Sequence, residues 1–416
     1  MFLQRFDLFQ LHSWKEDKKP RSWIRFEGKN LCRILREIIN EILAKKGQTK
    51  RKFSITLAAL LNYKSYSRLN SYIYNLFNQD IPLPIPVIMK TLDIYRNVCN
   101  LNDEKIDNTK QKILENIEYL SMNVGGGNRT KSVKELTISL AKIIGAHLAD
   151  GNLLIKKNSV KWNSYRFLLE EENEISVKKL GKLFEDVFGI QVESKYNNKN
   201  NTWKIELWNK IILRYFTKIL KIPHGNKTYI AEEPTIIKHS SRNIREAFAT
   251  GVLTFDGSIG IDFTQDLFVR SKKLAESIYD ILKKDNLNVK IKKKGEFYSV
   301  RGIIENKKWL KYFEVGSSKW LKVKFCLNLL KKCNIYSFPV AVEKLNKLFP
   351  RSKIKEVINQ SREMKNFKAN DLTKKLKMKR RTTSTYIKLL CRLKILTREG
   401  FFYSFNSDTS CWMLPE

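Results

Sequence analysis

Two aspartates stand 106 residues apart in matching surroundings. IIGAHLADG, residues 143 to 151, and ATGVLTFDG, residues 249 to 257, place Gly145, Asp150 and Gly151 at the same offsets as Gly251, Asp256 and Gly257, with apolar residues filling most positions between. A carboxylate in the last turn of a helix faces unpaired carbonyls, which costs a few tenths of a kcal/mol to about 1 kcal/mol unless a cation offsets it. The structural alternative for one such acid is an Asp-Gly turn whose glycine takes the left-handed conformation that ends many helices. A second copy at identical offsets weakens that alternative and points to acids that hold something positively charged.

The elements that follow each aspartate also agree. After the first come NSYRFLLEEE, ISVKKLGKLFEDVF and IQVESKYNNKNNTWKIELW; after the second come SIGIDFTQ, SKKLAESIYDILKK and LNVKIKKKGEFYSVRGII. Each set reads as a strand, an amphipathic helix and a strand pair, so the chain holds an internal repeat of about a hundred residues. In the second set Leu287, Val289 and Ile291 alternate with Asn288, Lys290 and Lys292, which predicts one buried sheet face and one basic face. In the first, Ile190, Val192, Ile205 and Leu207 alternate with Gln191, Glu193, Lys204 and Glu206. Asn197, Asn198, Asn200 and Asn201 fall in the hairpin loop between these strands.

The doubled Gly-x4-Asp-Gly helix ends and the order of elements after each resemble the single-chain, two-repeat LAGLIDADG homing endonucleases, over roughly residues 138 to 335. The resemblance implies two motif helices side by side at a pseudo-twofold axis, each ending on an acid that binds divalent metal over the DNA minor groove. Asp150 and Asp256 are the matching acids. Gly145 and Ala149, four apart on one helical face, would let two backbones approach closely. Paired carboxylates repel without metal between them, and hard oxygen ligands at scissile phosphates favour Mg²⁺. Lys227, in LKIPHGNKTYIAEEP, matches the family's lysine that polarises water near the phosphate; the second repeat offers Lys319 or Lys322 in EVGSSKWLKVK. His147 and His224 are candidates for a base, and mid-helix His147, set among apolar residues, reads as a packed or hydrogen-bonded side chain. The family's often acidic sixth motif position is Leu148 in one copy and Thr254 in the other, and its usually small seventh is Phe255 in the second. These departures bear on cleavage more than on fold.

The reach of the protein beyond these repeats follows from charge. The 416 residues carry 79 Lys and Arg against 42 Asp and Glu, a formal charge of +37, which fits a polyanionic partner. There is no uninterrupted apolar run long enough to span a bilayer, and the N-terminus lacks the order of a signal peptide, so a cytoplasmic protein is expected. The ends also lack the nucleophile-first, His-Asn-last pattern of an intein. Six scattered cysteines (Cys32, Cys99, Cys326, Cys333, Cys391, Cys411) and four histidines form no metal-ligand spacing and read as buried thiols and isolated side chains.

Taken together, the expected fold is α+β: two pseudo-symmetric repeats, residues 138–242 and 243–338, with saddle-like antiparallel sheets. An N-terminal helical domain (1–120) contains a helix-turn-helix at about 54–77, joined around Asn62 to Ser65. A Gly-rich stretch, SMNVGGGNRTKS, whose composition suits neither helix nor strand, makes 121–137 a linker. Residues 339–416 resemble a winged helix, and from Arg351 to Phe405 there are 16 Lys and Arg against 4 Asp and Glu. The expected DNA contacts are Lys195, Lys204, Lys290, Lys292, Lys294 and Arg301 on the sheets, Arg68 on the reading helix, and Lys379, Arg380, Arg381, Thr382 and Thr383 at the start of a C-terminal helix. The expected function is site-specific, Mg²⁺-dependent cleavage of double-stranded DNA by a monomer, leaving the short 3′ overhangs the resemblance implies. The alternatives are a non-cleaving transcription regulator or replication initiator on the same fold and, at lower rank, an RNA-binding intron maturase, since charge and fold separate DNA from RNA poorly.

Overall fold

The structure is a computed structural model and describes residues 5–17, 20–122, 129–157, 163–331, 343, 349, 353–393 and 395–405. Its centre is built from two copies of one unit. The first copy runs helix Ile138–Asp150, strands Gly151–Lys157 and Asn163–Glu171, helix Glu174–Phe188, and strands Lys195–Asn197 and Thr202–Trp208. The second runs helix Arg242–Asp256, strands Gly257–Ile259 and Thr264–Val269, helix Lys272–Lys284, and strands Val289–Lys294 and Phe297–Ile303. Both four-stranded sheets are antiparallel, with the fourth strand between the second and the third.

Period-two patterning explains which face of each sheet is covered. Leu153, Phe167, Leu169, Ile205 and Leu207 are buried on one side of the first sheet, as are Leu267, Val289 and Val300 in the second. The covering helices are amphipathic at helical spacing: Val177, Leu180, Phe184 and Phe188 face inward in one, Leu274, Ile278, Ile281 and Leu282 in the other. Capping side chains start the elements that matter most. Thr137 accepts from the Leu140 amide at 3.1 Å, Asn173 from Ser176 at 2.9 Å and Ser271 from Leu274 at 3.3 Å.

The two motif helices cross glycine to glycine. A Cβ on Gly145 would lie 2.1 Å from the Phe248 carbonyl oxygen and 3.1 Å from the Gly251 Cα; one on Gly251 would lie 2.2 Å from the Lys142 oxygen. Only glycine permits this approach. The close partner of Gly145 is thus Gly251, and the bulk of Phe255 does not separate the helices. Its ring is buried, beside a small cleft formed with Ser176, Leu180 and Leu183 of the first repeat.

Around this centre lie the added modules. The N-terminal one has helices Leu31–Lys46, Lys50–Leu60, Tyr66–Asn78, Ile85–Cys99 and Asp103–Glu115 and a sheet of Ile24–Glu27, Tyr119–Met122 and Thr130–Lys131. The second and third of these helices meet through a turn in which Asn62 has φ +48°. A buried charge network fixes the N-terminal segment to the first repeat. Arg214 donates to the Leu11 oxygen at 3.1 Å and to Asp17 at 3.0 Å, and Lys210 also bonds Asp17. Burial alone would raise the Asp17 carboxyl, but His12, Lys210 and Arg214 hold it down to about 2. The C-terminal module runs helix Ile354–Met364, strand Asn366–Lys368, helices Ala369–Lys375 and Arg380–Arg392, and the hairpin Leu396–Glu399 and Phe402–Phe405. It has its own buried side chains, among them Ile354, Phe367, Leu372, Tyr386 and Leu390, and Arg392 donates to the Asp262 carbonyl of the second repeat.

Three sequence expectations need correction. The stretch 121–132 is not free of regular structure: Ser121–Met122 and Thr130–Lys131 are strands, because Leu120 and Thr130 are fully buried in the N-terminal sheet. Its glycines lie outside the described residues. Residues 190 to 194 are not strand, although Ile190 is buried; pairing begins only at Lys195. Neither motif glycine is left-handed. Gly151 has φ −77°, ψ 157° and Gly257 φ −69°, ψ 148°, so each helix leads directly into a strand. A side chain is excluded there for another reason: a Cβ would meet His147 at 2.4 Å or the Leu253 oxygen at 2.3 Å. Among the described residues Cys32, Cys99 and Cys326 are buried free thiols and Cys391 is half-buried; Cys333 and Cys411 lie outside them. No helix among the described residues is long and apolar enough to cross a membrane.

Candidate active site

Because the motif helices cross near their ends, Asp150 and Asp256 emerge together on the floor of a groove of about 860 Å³ whose lining includes Asn152, Lys227, Phe268 and Phe297. Asp150 is exposed and Asp256 half-buried, yet protein crowds the pair on the other sides. This crowding pushes the Asp256 carboxyl up to about 7, with the neighbouring Asp150 adding to the rise and Lys227 and Lys319 opposing it. Asp150 is raised for the same first reason and is pulled back by Lys319 and then Lys227.

Each helix end has its own lysine. The Lys227 ammonium donates to the carbonyl oxygens of Leu148 and Ala149, both at 2.7 Å, and Lys319 donates to those of Thr254, at 2.6 Å, and Phe255. These are the unpaired carbonyls of the last turn, so the ammoniums supply the cation that a C-terminal acid otherwise lacks. Burial pulls Lys227 down to about 8 despite Asp256 and Asp150, and it lowers Lys319 as well. The structure thus distinguishes between two sequence candidates: Lys319 stands at the second helix end, while Lys322 lies over the Phe349 ring at 5.3 Å.

A third carboxylate was not singled out from sequence. Glu171 lies within hydrogen-bonding range of Asp150 and 4.0 Å from Lys319, and burial, with Asp150 adding, raises it to about 7. Its signal was the alternation Phe167, Leu169, Glu171, which puts an acid on the apolar face of its strand. Register makes Val269 the equivalent residue of the second repeat, so the two halves differ here. The second sixth-position residue, Thr254, accepts from the Glu314 amide at 3.0 Å, and the Glu314 carboxylate takes a bond from Lys142 at 2.8 Å. Leu148 is simply buried. His147 is sealed between Phe167 and Phe216 with no hydrogen-bond partner among the described residues, and burial lowers it well below the usual histidine range. His224 is exposed on the loop before Lys227.

The candidate nucleic-acid contacts fall on the sheets and on the two added modules. Lys195, Lys290, Lys292 and Lys294 are exposed and Lys204 half-buried on the uncovered faces of the sheets. Lys195 stands directly across from Lys204, and Lys290 across from Arg301. Arg301 is less free than expected, donating to Asp262 at 2.8 Å and Thr264 at 3.0 Å. Arg68 is exposed on the helix after the Asn62 turn, bonded to the Tyr63 hydroxyl. Lys379, Arg380, Arg381 and Thr382 are exposed at the start of the 380–392 helix. Thr383 is not: it is fully buried, its hydroxyl turned back on the Lys379 carbonyl, because it faces the module's own core.

No protein-family model and no curated protein matches the chain. Solved structures similar to part of it include I-DmoI in complex with DNA and Mn, at 17% identity over 40% of this chain and 88% of that one, with a TM-score of 0.32. They also include the N-terminal LAGLIDADG domain of DUF199/WhiA, at 11% identity over 40% and 75% with a TM-score of 0.28. Full-length DUF199/WhiA from Thermatoga maritima matches at 15% identity over 66% and 93%, with a TM-score of 0.33. In its own topology the chain is built of two like units whose Gly-x4-Asp-Gly helices pack side by side and bring their acids together, the α+β arrangement that the sequence resemblance implies.

Proposed function

We propose that the protein binds double-stranded DNA across its two sheets and hydrolyses one phosphodiester of each strand at the Asp150–Asp256 pair. The observation that carries this reading is the juxtaposition of two acids, one from each repeat and each beside a lysine, in a chain whose two sheets carry basic uncovered faces. Like charges placed directly across a strand pair are destabilising. The Lys195–Lys204 and Lys290–Arg301 pairings therefore favour a polyanion over solvent, with Glu206 and Asp262 giving partial relief. The helices around Asn62 and the 354–405 module supply further grips through Arg68, Lys379, Arg380, Arg381 and Thr382.

The donor set suits a divalent metal in part. Asp150 and Asp256 offer hard oxygens, and burial raises the proton affinity of both, with Asp150 adding to the rise at Asp256. Among the described residues no group of three His, Cys, Asp or Glu side chains is arranged to hold a metal. Asp150 and Asp256 would therefore hold it jointly with DNA oxygens, and Mg²⁺ there would supply Lewis acidity at the phosphate. Lys227 and Lys319 place positive charge beside the reacting phosphates, and Lys227, held near 8, can also give or take a proton at Nζ.

The test begins with a duplex selected from a random library. Incubated with Mg²⁺, wild-type protein cuts both strands; Asp150→Asn or Asp256→Asn slows cutting by about a hundredfold or more while metal-free binding is kept or improved. Tight binding that leaves both strands intact in Mg²⁺ and Mn²⁺ overturns cleavage. A binding-only role, as a transcription regulator or replication initiator, then takes its place. That second reading is favoured by the ammoniums already seated on the helix-end carbonyls, which give a satisfied platform without metal.

A further inference from the structure

The two sheets carry opposite chemistry at matching positions. Gly151 pairs with Leu169 as Gly257 pairs with Leu267, and those strands pair onward with Ile205 and Val300, so Glu170 corresponds to Phe268 and Thr202 to Phe297. In the first sheet this spot is wholly polar. Glu170 accepts from Asn197 at 3.4 Å, Asn200 at 3.1 Å and Thr202 at 3.4 Å. In the second it is aromatic: Phe268 is 41% and Phe297 39% exposed, and both line the groove that holds the acid pair.

These rings serve no core. Leu267 and Val300 already fill the covered side of the same strands, whereas Phe268 and Phe297 stand on the side that carries Lys290, Lys292 and Lys294. Cations lie against them at the surface: the Lys294 ammonium is 4.6 Å from the Phe268 ring centre, and the Arg270 guanidinium 5.0 Å from that of Phe297. A surface both apolar and cationic matches a partner that presents apolar groups inside a phosphate frame. The DNA major groove does so at thymine, whose 5-methyl is the apolar feature among its base edges.

We propose that Phe268 and Phe297 contact thymine methyl groups in one half of the DNA target, while the Glu170 cluster meets the other half through hydrogen bonding alone. This inference rests on the duplex-DNA reading above. It makes the target chemically lopsided despite the near-symmetry of the backbone, with thymine favoured on one side of the cleavage point.

The experiment uses the full chain without divalent metal and a duplex selected from a random library, each thymine being replaced in turn by uracil, which lacks only the methyl. Affinity should fall by about fourfold, the effect of one buried methyl, at one or two thymines within a single half-site and at none in the other. Phe268→Ala or Phe297→Ala should weaken binding and remove the thymine-over-uracil preference, whereas Lys294→Ala should weaken binding to both duplexes alike. The uracil scan on wild-type protein needs no variant to fold. Equal losses in both halves, no loss anywhere, or a preference that survives both phenylalanine variants overturns the proposal while leaving DNA binding intact. Recovery of no duplex in the selection defeats the DNA reading itself, and this inference with it.

Discussion

At the scale of single residues, the carboxyls of Asp150, Asp256 and Glu171 cluster with the ammoniums of Lys227 and Lys319 at the two motif-helix ends. A carboxyl whose folded-state affinity for protons is raised stabilises the fold at low pH, below its unfolded value near 4, and loses that contribution as pH rises through its folded value. For Asp256 the window runs from about 4 to about 7. Asp256→Asn should therefore raise the melting temperature by about 2–4 °C at pH 8 in the absence of divalent ions, with the gain vanishing by pH 4; melts across this range check it. An equal gain at both ends would place the effect elsewhere than in charge. The sequence made Asp150, Asp256 and Lys227 legible because their spacing repeats or matches a motif. Glu171 was hidden for a physical reason: the same alternation that buries Phe167 and Leu169 aims it inward, and a run of three glutamates looks like a solvated strand end. Thr383 failed oppositely, since a threonine amid arginines at a helix start faces the core once the helix is wound.

Elements were legible wherever periodicity met burial on one face. The helices 174–188 and 272–284 and the strands after them follow that pattern, and only residues 190 to 194, buried at Ile190 but unpaired, break it. Local composition misled at 121–132, where Ser121 and Met122 pair with a strand about a hundred residues upstream and Thr130 and Lys131 pair back onto Leu120 and Tyr119. The crossing of the motif helices yields a sharp expectation. A methyl on Gly251 meets backbone atoms, the Lys142 oxygen at 2.2 Å and the Ala146 nitrogen at 2.8 Å, which cannot rotate aside. Gly251→Ala should cost about 3 kcal/mol, the upper range for overpacking, and should part the acids as well. Chemical denaturation measures the first effect and loss of cleavage the second; a variant of unchanged stability would mean a looser crossing.

For the whole molecule, a formal charge of +37 fits a polyanionic partner. If about ten phosphates are neutralised on binding, log K against log[salt] falls with a slope near −9. Titration at several salt concentrations checks this, and a slope shallower than about −3 excludes contact along both sheets. Removing residues 351–416 should flatten the slope and leave the repeats folded, because that module buries its own core. What no sequence pattern announced was the attachment of the N-terminal segment to the first repeat, since Asp17 meets Arg214 across 197 residues. Such pairs have no local signature.

The glycine crossing also sets a schedule for synthesis. Gly145 leaves the ribosome 106 residues before Gly251, an interval of roughly 5–20 s at ordinary elongation rates. Through that interval the first repeat holds a bare apolar helix face shaped for a neighbour that does not yet exist. Its nearest substitute is the same face on another nascent chain. Translation pace between the two motifs therefore bears on yield, and codon choice over residues 152 to 250 becomes a lever on folding that leaves every amino acid unchanged.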